Sequence, residues 1–239
     1  MKIALIGYGK MGKAIEKIAI EKGHTISLKI DIDNAADLNP ENAKNIDVAI
    51  EFTGPHSAVD NLYKCFELGI PVVCGSTGWL AAWEEVKKKC EEKNATLVYA
   101  SNYSIGVNLF FEINKQLAKL MNNYPDYDVS MKEIHHTAKK DAPSGTAITL
   151  AEQVMAALKR KDGWELADQE KHENKIAITA ERIDPAPGTH HVLYHSLIDD
   201  IEIIHTAHNR TGFAGGAVKA AEFVIGKKGI FGMKEVLGI

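Results

Sequence analysis

The sequence predicts an α/β protein in two parts, a domain of strands alternating with helices and then an α+β domain with a mostly antiparallel sheet. Three observations predict it. Short apolar runs alternate with amphipathic stretches up to about residue 104, the pattern of βαβ units that build a parallel sheet. Beyond residue 105, three strands follow one another without an intervening helix, the pattern of an antiparallel sheet. A last helix over 214–225 carries small residues, Ala217, Ala220 and Ala221, that suit close packing back onto the first domain. The expected division is therefore 1–104 joined by 214–239, with 105–213 as the second domain.

Each element has its own signal. Residues 2–6 (Lys-Ile-Ala-Leu-Ile) read as a buried strand. Met11, Ala14, Ile15, Ile18 and Ala19 then recur at helical spacing, and Gly23 sits where a helix C-cap glycine belongs. Residues 26–31 and 47–52 make the second and third strands. Pro55 suits a first helical position, and the helix runs towards Leu68 and Gly69. Strands over 71–74 and 96–100 flank a charged helix over 83–93. In the second domain the spacing predicts a helix over 107–121, a strand over 128–134 and a helix over about 146–160. A polar stretch, 161–175, separates these from strands over 176–183, 191–197 and 201–208. In the last strand Ile201, Ile203 and His205 alternate with Glu202, Ile204 and Thr206, so both faces are partly apolar.

Composition narrows the class. A chain of 239 residues with 45% hydrophobic and 25% charged residues has enough apolar material for a sizeable core. A net charge of -4 leaves no basic excess for nucleic-acid phosphates, so an anionic ligand must be met by a local cluster of donors. Cys65, Cys74 and Cys90, an odd number without C-x-x-C spacing, argue against a disulfide scaffold or zinc ribbon and for a reducing compartment. Neither a secretory leader nor a long uncharged apolar run is visible. The expectation is a cytoplasmic protein that engages neither nucleic acid nor membrane.

The chemistry begins at the first turn. Gly7-Tyr8-Gly9-Lys10-Met11-Gly12 is a complete G-x-G-x-x-G between a strand and a helix. The first glycine permits the tight turn, the second lets backbone approach a pyrophosphate, and the third allows close strand–helix packing. Asp31, at the end of the second strand, is placed to accept hydrogen bonds from a ribose hydroxyl. Together they predict a Rossmann-like dinucleotide-binding domain. Gly75-Ser76-Thr77-Gly78 and Ser101-Asn102-Tyr103-Ser104 also follow strands, and ligands in open α/β sheets bind beyond the carboxyl ends of strands.

The most informative stretch is 133–147, Glu-Ile-His-His-Thr-Ala-Lys-Lys-Asp-Ala-Pro-Ser-Gly-Thr-Ala. Ser144, Gly145 and Thr146 open a helix, where unpaired amides and hydroxyls cradle an anion, and a lysine adds full charge. A histidine nearby supplies a proton near neutral pH. His135 and His136 point to opposite strand faces, so they do not bind one metal together, and no His/Asp/Glu cluster shows a ligand spacing. The constellation suits a dicarboxylate that gains a hydride and then a proton.

This stretch resembles the dihydrodipicolinate reductase family, whose signature E-x-H-H-x-x-K-x-D-A-P-S-G-T-A is matched throughout. The resemblance continues at 7–12, 75–78, 101–108 and 205–221, nearly the whole chain. It implies NAD(P)H-dependent reduction of 4-hydroxy-tetrahydrodipicolinate to tetrahydrodipicolinate in lysine and diaminopimelate biosynthesis, by a metal-free homotetramer joined through its second domains. His135 would be the proton donor and Lys139 the catalytic lysine. His136, Ser144, Gly145 and Thr146, with Lys139, would hold the substrate carboxylates. Gly7, Tyr8, Gly9, Lys10, Met11, Gly12, Asp31, Gly75, Ser76, Thr77, Ala100, Ser101, Asn102 and Tyr103 would line the cofactor. The chain departs from the family at Ile32, where NADPH-preferring members carry a basic residue. An acidic Asp31 with no adjacent arginine favours NADH, while Lys10 and Lys29 are the cations able to offset it. Two other readings are weaker. A homoserine- or sugar-type dehydrogenase does not account for 133–147, and a dinucleotide-sensing regulator lacks a visible surface for its target.

Overall fold

The computed structural model describes residues 1–168, 172–209 and 211–239. Part of the polar stretch (169–171) and Arg210, within the family-like 205–221 segment, lie outside the described residues. Two compact units result, Met1–Ile105 with Thr211–Ile239, and Gly106–Arg210. The first begins with β1 (Lys2–Ile6), α1 (Lys10–Glu21), β2 (Thr25–Ile30), α2 (Pro40–Ala43), β3 (Val48–Glu51), α3 (Ala58–Glu67), β4 (Val72–Cys74), α4 (Trp83–Glu92) and β5 (Thr96–Tyr99). The second consists of α5 (Ile105–Met121), β6 (Asp128–His135), α6 (Gly145–Ala157), β7 (Gly163–Leu166), β8 (Lys175–Arg182), β9 (Gly188–His195) and β10 (Asp200–Ala207). The chain then returns to the first unit with α7 (Thr211–Val224), β11 (Gly229–Phe231) and α8 (Met233–Leu237).

The first unit holds a parallel sheet in the order β11-β5-β4-β3-β1-β2. Its strands are apolar on both sides because both faces are covered. Ile3, Leu5, Val48 and Ile50 pack with residues of α1, α7 and α8. Ala4, Ile6, Ala49 and Val72 face the opposite way, towards α3 and α4. Ala214, Ala217, Ala220 and Ala221 of α7 are fully buried, and the helix packs on α1, β3, β4 and β5. Pro55 does not open α3. It lies in the turn before it, where the Ser57 and Ala58 amides already donate to the Gly54 carbonyl. Cys65, Cys74 and Cys90 are all buried and unbridged. Burial pushes the Cys65 thiol up to about 12 and Cys90 up to about 11, and raises Cys74 further still.

The second unit has a five-stranded sheet in the order β10-β9-β6-β8-β7. It is mixed, not mostly antiparallel. β10 with β9 and β9 with β6 are antiparallel, whereas β6 with β8 and β8 with β7 are parallel. The cause is α6, a crossover helix that carries the chain back so that the strands after it run parallel to β6. β7 sits inside the polar stretch, and its half-buried residues give no apolar run. Val129, Met131, Ile176, Ile178, Val192 and Tyr194 face the apolar sides of α5 and α6. Among the described residues no helix is long and apolar enough to cross a membrane.

Candidate active site

In the first unit the sheet reverses its order between β1 and β3, and the loops beyond both strands line one cleft of about 420 Å³. Gly7 turns there with a φ of +93°, and a Cβ on it would stand 2.2 Å from the Phe52 carbonyl oxygen. A Cβ on Gly12 would meet the Gly7 carbonyl oxygen at 2.3 Å. Gly9 differs, since nothing lies within 4 Å of its would-be Cβ. Protein packing does not demand glycine at Gly9, whereas close approach of a phosphate to the backbone at the start of α1 does. The three glycines therefore fit a dinucleotide. Gly7, Tyr8, Gly9 and Asp31 line this cleft, while Lys10, Met11, Gly75, Ser76 and Thr77 line a second of about 500 Å³ that shares Gly9 and Thr53 with it.

Asp31 is exposed and its carboxylate accepts the Ile32 amide at 2.9 Å, capping a short 3-10 helix, Ile32–Asp37. Ile32 itself is 92% exposed at the cleft's edge. Lys29 is committed elsewhere. Its ammonium lies 2.6 Å from Glu16 and 3.2 Å from the Tyr8 hydroxyl, over the Tyr8 ring. Tyr8 in turn donates to Glu16. The bond to Glu16 raises the Lys29 pKa.

Not every expected residue reaches these clefts. Tyr103 is a core residue whose hydroxyl donates to the Cys74 and Val98 carbonyls. Ala100, Ser101 and Asn102 line neither cleft. In their place stands the loop after β3, with Thr53, His56 and Ser57. Buried Glu51 anchors it by accepting the Thr53 amide at 3.1 Å, and the Ser76 hydroxyl accepts the same amide at 2.8 Å. Thr53-Gly54-Pro55 after an apolar strand was the available signal.

In the second unit β6 places Glu133 and His135 on its buried face, one pleat apart. Cross-strand register sets His190 of β9 opposite Glu133, and Arg182 of β8 opposite His135. Glu133 is fully buried. It accepts the Ser144 amide at 3.1 Å on both oxygens and the Arg182 guanidinium at 3.2 Å. Its Oε2 lies 3.5 Å from His135 Nδ1 and 3.7 Å from His190 Nε2. Ser144 caps α6 by accepting the Ala147 amide at 3.2 Å, and its hydroxyl lies 3.2 Å from His190 Nε2. The amides of Gly145 and Thr146 stand in the first turn, ahead of any intrahelical acceptor. Lys139 reaches Asp141 at 2.8 Å, and Arg182 pins that loop through the Lys139 and Asp141 carbonyls. His136 lies past the end of β6 and is half-buried.

Burial pushes the His135 imidazole below the ordinary histidine range. Glu133 pulls it back up, while Lys139 and Arg182 push it further down. Burial also drives His190 down to about 3, so it is neutral. Gly188, at a φ of +158°, leaves room beside His135, for a Cβ there would stand 3.1 Å from Nε2.

The expectation that no His/Asp/Glu cluster shows a ligand spacing is corrected here. Glu133, His135 and His190 bring one ligand atom each within 4.8 Å of one another. Strand register, invisible as local spacing, assembles them. The charge of Glu133 is already met by Arg182 and by an amide, so the cluster is charge-balanced by the protein's own groups.

Fold and site define an α/β oxidoreductase with a Rossmann-like nucleotide-binding unit and a second, mixed-sheet unit. Comparisons with known proteins sharpen this. Residues 1–103 match the N-terminal domain of dihydrodipicolinate reductase and residues 106–237 its C-terminal domain. A 4-hydroxy-tetrahydrodipicolinate reductase of Christiangramia forsetii is 49% identical over 238 residues, 99% of this chain and 98% of that protein. One from Methanoregula boonei is 32% identical, over 100% of this chain and 98% of the other. The solved dipicolinate-bound dihydrodipicolinate reductase of Paenisporosarcina sp. TG-14 shares the fold, with a TM-score of 0.78, 21% identity and 98% of each chain covered. The chain belongs to the dihydrodipicolinate reductase family.

Proposed function

We propose that this protein reduces 4-hydroxy-tetrahydrodipicolinate to tetrahydrodipicolinate with NADH or NADPH. The observation that carries the reading is the intact segment 133–147, folded so that His135, Glu133 and the Ser144-capped start of α6 meet at one end of β6. The overall reaction consumes one hydride and one proton and releases water. When bound, the reduced nicotinamide supplies the hydride. His135 holds the proton on Nε2, which no Cβ crowds at Gly188, and delivers it to the ring. Lys139, His136 and the first-turn groups of Ser144, Gly145 and Thr146 bind and orient the two carboxylates. The first unit would hold the cofactor at Gly7, Tyr8, Gly9, Lys10, Met11, Gly12, Asp31, Gly75, Ser76 and Thr77, with Ala100, Ser101, Asn102 and Tyr103. The second unit would bind substrate and join subunits of a cytoplasmic homotetramer. Metal takes no part in this reading, because Arg182 already balances Glu133.

The test couples the protein to the synthase that condenses aspartate semialdehyde with pyruvate, and follows loss of NADH or NADPH absorbance. Oxidation should appear only when the synthase supplies its product, and should survive thorough chelation. Oxidation with a simple aldehyde or sugar acid instead, or activity lost to chelation and restored by zinc, overturns the reading.

A further inference from the structure

We infer that Glu133 is a positioning residue, a buried carboxylate that fixes the opening of α6 and sets its charge against the His135 ring. The inference rests on the reading of His135 as proton donor and concerns how that donor is held. Glu133 stands between the two parts. On one side both oxygens accept the Ser144 amide, the cap of the helix whose first turn is free to meet an anion. On the other, Oε2 lies 3.5 Å from His135 Nδ1, an ion-pair distance without a hydrogen bond, so it acts on the ring through its charge. A carboxylate without solvent persists only where its charge is met, and Arg182 meets it from β8. With Glu133 behind Nδ1, Nε2 is the nitrogen left for a substrate, on the side where Gly188 brings no Cβ against the ring. Moving Glu133 would disturb the acid and the anion-binding turn together.

The groups facing His135 fix the sign of a test. Glu133 and Asp141 favour its protonated form, while Lys139 and Arg182 oppose it. His190, ring to ring at 5.1 Å, is neutral, and the Ser144 hydroxyl beside it carries no charge. A general acid works only while protonated, so kcat falls as pH rises through its pKa. Glu133→Gln keeps the shape and removes the favourable charge. Glu133→Asp keeps the charge on a side chain one methylene shorter.

The experiment records kcat and both KM values against pH for the full chain, wild type and each variant, with folding checked by circular dichroism. The alkaline limb of kcat should move to lower pH in Glu133→Gln by about one unit, roughly a tenfold loss above the limb. In Glu133→Asp, which keeps the charge but draws it back, it should move the same way by less. The KM for cofactor should hold in both, and the KM for substrate should rise in Glu133→Gln. General damage to the fold does not grade one limb by the charge at one position. Limbs that stay fixed in folded variants overturn the inference. Should Glu133→Gln fail to fold, Glu133→Asp decides alone, and an unchanged limb with an unchanged substrate KM overturns it. A wild-type protein inert towards the synthase product fails the functional reading instead, and this inference with it.

Discussion

His135 is the proposed proton donor, and its surroundings disfavour its protonated form. Burial and two nearby cations push its pKa down while one carboxylate opposes them. His135→Ala and Lys139→Ala should each lower turnover by about 10²–10⁴-fold, the usual cost of losing a positioned proton donor. Lys139→Ala should raise the substrate KM as well. Near-normal steady-state kinetics for His135→Ala would remove it from the mechanism. At the cofactor cleft the deciding residues are Asp31, Ile32 and Lys29. Lys29 is engaged by Glu16 and Tyr8, which leaves Lys10 to meet a 2′-phosphate. NADH should therefore serve at least as well as NADPH, and Ile32→Arg, adding a bidentate donor, should shift kcat/KM towards NADPH. A strong wild-type preference for NADPH would contradict this. At this scale the sequence is readable where partners are near neighbours along the chain. His135, Lys139 and Ser144 lie within one short segment, and the glycine loop is contiguous. Glu133 with His190 and Arg182 is not readable, because those partners meet only through cross-strand register.

The element that shapes the proposed substrate end is α6. Ser144 is its N-cap, and the same residue gives its amide to Glu133. Ser144→Ala should cost about 1 kcal/mol of stability through the lost cap. It should also raise the substrate KM, since the first turn loses a hydroxyl and some of its order. Unaltered denaturation and unaltered KM together would mean that the cap does neither job. Elements with strong periodicity were legible in the sequence, β1, α1 and α5 above all. Those it missed are short or weakly buried. β7 has no buried residue and β11 has three residues, too few for a period to appear. β9 begins at Gly188, earlier than the expected start at His191. That shift explains why His190 went unnoticed, for it joins the ladder opposite Glu133 only if the strand starts there. The parallel pairing of β6 with β8 was hidden for a different reason. Hydrophobic patterning reports which face is buried and says nothing of strand direction.

The two units should answer differently to acid. His190, His135 and His205 of the second unit all take up protons less readily than a histidine in an unfolded chain, chiefly through burial. Below the ordinary value of 6.5 the unfolded chain binds more protons than the folded one, so stability falls as pH falls. For His190 that window extends down to about 3. His190 alone should cost about 2 kcal/mol between pH 7 and pH 5. Denaturant midpoints at the two pH values measure it, and His190→Asn should flatten the difference. An equally steep dependence in that variant would place the proton uptake elsewhere. The first unit offers a separate readout. Cys65, Cys74 and Cys90 all belong to it, and the second unit has no cysteine. A thiol buried with a raised pKa is a poor nucleophile until its surroundings come apart. The rate at which an alkylating reagent consumes these thiols is thus a clock for the opening of one half of the molecule, ticking only when the parallel sheet gives way.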